Sequence, residues 1–156
     1  MKIIYHCFGG SHSSVLASAI HLGLIDKSRL PSMEEMMTIP YYDKTTNEDF
    51  GSIRFMGIDE FKNEVYVLGK KSMGNRYSNI LLGIAEILGV RDDLISVNCM
   101  NQVNWSMKIG GFTSRRMGLD KLARPVLGSG SRNAFFSLVN LVEYTRLQCM
   151  KKVQVS

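Results

Sequence analysis

The sequence predicts an α/β fold, a three-layer sandwich with a mostly parallel central sheet plus a β-hairpin. Three observations predict it. Apolar runs of strand length alternate with segments whose apolar residues recur at helical spacing along the 156-residue chain. Glycines stand where the helical segments must stop. Segments rich in small, polar or basic residues follow the strands, as they do at the ligand-bearing edge of open α/β sheets.

The elements follow in order. "KIIYHC", Lys2 to Cys7, reads as a buried first strand. "SVLASAIHLG" is a helix, with Val15, Leu16, Ala19 and Leu22 at helical spacing and Gly23 as its stop. Ser32 and Glu35 have capping-box spacing just after Pro31, which predicts a short helix closed before Pro40. "YYDKTTNEDFGS" is polar and turn-rich and reads as an exposed loop. "SIRFMG" and "EVYVLG" form a β-hairpin around "IDEFKN". In "RYSNILLGIAEILG", Ile80, Ile84, Ile87 and Leu88 share a face, and Gly89 ends the helix. "LISVNC", Leu94 to Cys99, is a further strand, expected at the centre of the sheet. "VNWSMKIGGFTSRRMG" has a helical stripe at Val103, Met107, Gly110, Ser114 and Met117. "RPVLGSGS" reads as a short strand and a glycine-serine loop, and the last helix runs from about Arg132 to Leu147.

Length and composition set the outer limits. The chain fits one domain, residues 1–150, with 151–156 as a loose tail. Hydrophobic residues make up 45% and charged residues 21%, the balance of a globular protein. No apolar run approaches the roughly 18–20 residues of a membrane span. The N-terminus lacks the pattern of a signal peptide, so a cytoplasmic location is expected. Three cysteines without a Cys-x-x-Cys spacing indicate neither a disulfide framework nor a zinc ribbon. A formal net charge of +5 gives a mild bias toward anionic partners. Lys70, Lys71, Arg115 and Arg116 are basic, but no long basic run with interleaved aromatics marks a nucleic-acid groove.

The segment with a physical case for chemistry is "HCFGGSHSS", His6 to Ser14. It joins a strand to a helix N-terminus, whose unpaired N–H groups and partial positive charge suit phosphate or another oxyanion. Gly9 and Gly10 allow a tight turn and close backbone approach. Ser11, Ser13 and Ser14 can donate hydroxyl hydrogen bonds or cap the helix. Together they form the predicted phosphate cradle, with Ser129 and Arg132 added from the later glycine-serine loop. Cys7, at a strand end facing a helix N-terminus, is either a nucleophile of lowered pKa or a small buried cysteine. His12 is a proton donor or charge partner. His6 should point to the opposite face of the sheet from Cys7. No metal-ligand spacing is present, and the residues name no cofactor. The expected partner is a phosphate-bearing small molecule or nucleotide. The residues leave open whether the chain is an enzyme acting on phosphate esters or a non-catalytic regulatory or interaction protein.

Laid over a nucleotide P-loop, the segment puts His6 and Ser11 at the two glycines, His12 at the lysine and Ser13 at the hydroxyl position. "CFGGSHSSVLASAI" also resembles the Cys-x-x-x-x-x-Arg-Ser segment of low-molecular-weight tyrosine phosphatases at Cys7, Gly9, Ser14, Ala17, Ala19 and Ile20. "RPVLGSGSRNAFFSLVNLVE" is similar to their Asp-Pro loop and last helix at Pro125, Gly128 and Phe135. That resemblance implies a Rossmann-like, phosphatase-like architecture and an anion loop. Ser13 stands where the phosphate-gripping arginine belongs, and Arg124 where the general acid belongs. Over nearly its whole length, through "IPYYDKTTNEDFG", "VYVLGKKS" and "MKIGGFTSRRMGL", the chain resembles an uncharacterised family of Firmicutes, especially spore-formers, known as domain of unknown function 3189. This implies a bacterial cytoplasmic protein and supplies no activity.

Overall fold

The computed structural model describes residues 1–100 and 127–153, and in the last helix it describes the side chains of residues 133–152. It is an α/β structure built on a four-stranded mixed sheet of order β2-β3-β1-β4. β1 (Lys2–Cys7) lies inside the sheet, parallel to β3 (Glu64–Gly69) on one side and to β4 (Leu94–Asn98) on the other, so the strand expected at the centre, β4, stands at the edge of the described sheet. β2 (Arg54–Ile58) pairs antiparallel with β3, so the predicted hairpin supplies the antiparallel edge. A register shift between Phe55 and Gly57 marks a bulge in β2.

β1 lies inside the sheet because its residues from Ile3 onward are buried on both faces, the pattern of a parallel strand covered on both sides. Ile3 and Tyr5 are fully buried, and so is His6 on the other face. α1 (Ser13–His21) packs beside the sheet with all nine residues buried. Ala17, Ser18 and Ala19 are small enough to permit that close approach. Gly23, at φ 67°, follows the helix in the left-handed conformation expected of a stop. α2 (Met33–Thr38) starts with the predicted capping box. The Ser32 hydroxyl accepts from Glu35 N at 3.2 Å, and Ser32 N donates to the Glu35 carboxylate at 2.7 Å.

α3 (Arg76–Ile87) follows β3, and Gly89 turns the chain at φ 70°. Ile80, Ile84, Ile87 and Leu88 are all exposed among the described residues, while Ala85 is buried. α4 (Leu127–Val153) packs on α1 through a core containing Phe135, Leu138 and Val142.

α4 corrects two expectations. It begins five residues before Arg132 was expected to open it and runs past Leu147. The predicted glycine-serine loop at Gly128–Ser131 is therefore its first turns. Each glycine costs about 1 kcal/mol in a helix, but a helix once nucleated propagates cheaply, and the packed segment beyond Asn133 supplies the nucleus. The expected helix at Val103–Met117, together with Arg115, Arg116, Arg124 and Pro125, lies outside the described residues.

Candidate functional site

The loop from Cys7 to Ser14 crosses the carboxyl end of β1, as the fold predicts. The segment after β3 lies against it. Lys70 N donates to Cys7 O at 3.0 Å and Lys71 N to Phe8 O at 2.9 Å. Gly10 sits at φ 68°, and a Cβ there would come within 2.8 Å of Gly69 Cα. In return, a Cβ on Gly69 would come within 2.7 Å of the Gly9 carbonyl oxygen. The two glycine positions thus fix a backbone-to-backbone contact that side chains would open. The end of β4 joins the same edge, where Cys99 N donates to His6 O at 2.9 Å.

Cys7 lies inside this loop, 5% exposed. Gly10 N donates to its sulfur at 3.1 Å, and the Ser14 hydroxyl lies 3.1 Å from it. Burial pushes the Cys7 thiol up. The Ser14 hydroxyl and N–H, the Ser13 hydroxyl and the Gly10 N–H outweigh burial and hold it below the ordinary thiol value. Ser13 and Ser14 therefore act on the sulfur and not as helix caps. The N-cap is His12, which makes no side-chain cap. Ser11 is buried, and its carbonyl accepts from Asp43 N at 3.1 Å.

His12 Nε2 lies 3.3 Å from Asp43 Oδ1, with the ring packed edge-on against Tyr42 at 5.5 Å between centroids. The segment read as an exposed loop thus packs on the site, and Tyr42 is 2% exposed. Arg54 reaches the loop from β2. Its Nη2 donates to Gly10 O at 2.7 Å and to Thr45 Oγ1 at 3.0 Å, while the guanidinium lies 4.7 Å from the centroid of the Tyr41 ring. Asp43 and Arg54 carried no local sequence signal, since only the tertiary fold brings them to the loop.

His6 points away from Cys7, as strand alternation requires. Its Nε2 lies 3.0 Å from both the Ser78 and Ser96 hydroxyls, and its buried Nδ1 has no partner among the described residues. Burial, aided by the Lys70 charge, lowers the His6 pKa to about 3, so the ring is neutral near pH 7. Lys70 is itself buried, donates from Nζ to Gly74 O at 2.9 Å, and has its pKa lowered by that burial. Ser129 and Arg132 lie in the first turns of α4, and their side chains are outside the described residues.

A family model described as protein of unknown function (DUF3189) matches residues 2–147. The chain belongs to that family. No curated protein and no solved structure matches it. In this family member, no three His, Cys, Asp or Glu side chains gather as metal ligands among the described residues. Nor is any described helix long and apolar enough to cross a membrane.

Two other features lie apart from the loop. At the opposite edge of the sheet, Tyr5 Oη lies 2.8 Å from His21 Nδ1, and His21 Nε2 lies 3.0 Å from Asp59 Oδ2. Asp59 also accepts from Phe61 N, Asn63 N and Asn63 Nδ2. The His21 and Asp59 side chains are 0% and 1% exposed, so this chain of bonds joins α1 to the hairpin turn within the core. A cavity of about 400 Å³ opens at β4, lined by Leu82, Arg91, Leu94, Ser96, Gln148 and Lys151, and shares no residue with the loop.

Proposed function

We propose that the protein binds a phosphate-bearing small molecule or nucleotide, through its phosphate, at the Cys7–Ser14 loop, and that Cys7 attacks phosphate esters bound there. The observation that carries this reading is the caged sulfur: a buried cysteine whose hydrogen bonds overcome burial and favour the thiolate. Donors that stabilise one anion at a helix N-terminus suit a second oxyanion beside it. Attack would form an S–P bond as the ester P–O bond breaks, and the leaving alcohol would take a proton from His12, held by Asp43. The finer architecture, a three-layer Rossmann-like or phosphatase-like sandwich, and a setting in the cytoplasm of a Firmicutes spore-former belong to the same proposal.

One observation favours a non-catalytic second reading. The donors to Cys7 are all neutral, and the Arg54 guanidinium donates to the Gly10 carbonyl and not to the sulfur. A regulatory protein that only senses an anion needs no stronger grip.

A thermal-shift series against inorganic phosphate, sugar phosphates and nucleotides tests the binding. A ligand at about 100 times its Kd adds roughly 2.7 kcal/mol of stability. The expected result is stabilisation of the wild type that is lost in Ser13→Ala/Ser14→Ala. Equal stabilisation of both proteins, or of neither, overturns the reading. Release of nitrophenol from its phosphate ester by the wild type, and not by Cys7→Ser, separates enzyme from sensor.

A further inference from the structure

A second thiol lies one residue past the end of the neighbouring strand. β1 and β4 run parallel in a register that ends with His6 opposite Asn98, and one step further along the same register would set Cys99 opposite Cys7. A backbone bond reaches that far, since Cys99 N donates to His6 O at 2.9 Å. Both cysteines belong to the same core cluster as the Tyr5–Val97 pair two positions back, which puts them on one face of the sheet. Paired strands lie about 4.8 Å apart, inside the roughly 4.4–6.8 Å between Cα atoms that a disulfide accepts. Both thiols are free in this structure.

We propose that Cys7 and Cys99 form a peroxide-sensitive thiol pair, and that closing it to a disulfide switches off anion binding at the loop. The pair itself stands on the backbone geometry at the ends of β1 and β4, while the switch rests on the anion-binding reading given above. Hydrogen peroxide is the oxidant. The Cys7 thiolate attacks one peroxide oxygen, an S–O bond forms as the O–O bond breaks, and the departing hydroxide takes up the proton that the thiol released and leaves as water, with the sulfur oxidised by two electrons. Cys99 then attacks the sulfenic sulfur. The S–S bond forms, the S–O bond breaks, and the hydroxide leaves as a second water with the Cys99 proton.

The surroundings divide these roles. Cys7 is the attacking thiol, because its hydrogen bonds favour the thiolate. Burial pushes the Cys99 thiol well up, with the Cys7 negative charge adding to that and the Lys70 charge opposing it. Oxidation of Cys7 removes its charge and so eases ionisation of its neighbour at the step that needs it. The bond would draw the Cys7 sulfur toward Cys99 and away from Gly10 N and Ser14, dismantling the cage.

The test uses the wild-type chain, reduced, treated with hydrogen peroxide, blocked with an alkylating agent and digested by trypsin without reductant. The expected product links peptide Ile3–Lys27 to Asp92–Lys108, lighter by two hydrogens than their sum, with Cys149 in Leu147–Lys151 alkylated as the internal control. Over-oxidised Cys7 beside an alkylated Cys99, a bond to Cys149, or two unreacted thiols each overturns the pair. In parallel, stabilisation by inorganic phosphate should vanish on oxidation and return with dithiothreitol. Undiminished stabilisation of the cross-linked protein overturns the switch. A reduced protein that phosphate fails to stabilise overturns the anion reading and the switch together, while the thiol pair stands or falls on the peptide map.

Discussion

At the residue scale, Cys7 shows how burial and hydrogen bonding compete for one sulfur. Desolvation alone would raise its pKa and leave an inert thiol. Donors from Ser14, Ser13 and Gly10 reverse the direction. A hydrogen bond to a charged group is worth about 1.5–3 kcal/mol, and about 1.4 kcal/mol corresponds to one pH unit. Ser14→Ala should therefore move the midpoint of Cys7 alkylation up by about one pH unit or more, read from iodoacetamide rates against pH. An unmoved midpoint would mean that Ser14 does not hold the thiolate. The lowered value also gives a sign for stability. The folded state releases this proton before the unfolded one does. The contribution is complete above the ordinary thiol pKa, about 8.5, and is lost as pH falls through the folded value. The sequence made Cys7 a candidate but left it between nucleophile and core residue, because the deciding donors are a matter of distance and angle.

At the element scale, the loop is held by close backbone packing between the ends of β1 and β3. Gly10 and Gly23 have nearly the same φ, 68° and 67°, yet different surroundings. A Cβ on Gly23 meets nothing within 4 Å, whereas one on Gly10 meets the Gly69 backbone. Gly23→Ala should cost about 1 kcal/mol from left-handed strain alone. Gly10→Ala adds a clash of the kind worth a further 1–3 kcal/mol, roughly, when overpacking forces backbone to shift. Urea unfolding of the two variants measures the difference, and equal losses would show that the loop yields without cost. Both glycines are plain in the sequence. Only one faces a neighbour 59 residues away, and no local pattern reveals that contact. The element assignments were legible for β1, α1, the hairpin and the Ser32 cap, where periodicity and capping residues agree. Periodicity gave the shared face of α3, yet could not tell that Ile80, Ile84, Ile87 and Leu88 stand exposed among the described residues.

At the scale of the whole molecule, two buried histidines couple stability to pH. His6 has its pKa lowered to about 3, by burial and then by the Lys70 charge. His21 is lowered by burial against the opposing pull of Asp59, so the pair is a hydrogen bond from a neutral ring to a carboxylate more than a full ion pair. The unfolded chain binds protons at these histidines from about pH 6.5 downward, while the folded chain refuses them. Stability is full above that value and falls with acid toward about pH 3, the folded value of His6, by at most ~1.4 kcal/mol per pH unit for each group. Chemical-denaturation midpoints between pH 7 and 4 should show this decline, and His6→Gln should flatten it. A His6→Gln protein with the same slope as the wild type would remove His6 from the account.

The sequence by itself determined the α/β class, a buried first strand, the hairpin edge and the strand–loop–helix unit at His6–Ser14, because hydrophobic period, caps and glycine stops act over a few residues. Tertiary structure alone decided that Asp43 meets His12, that Arg54 bonds the Gly10 carbonyl, that Gly128–Ser131 enters a helix, and that Cys99 bonds the backbone at the end of β1. These outcomes depend on strand register and on packing between segments tens of residues apart, and such contacts leave no local trace in the order of amino acids.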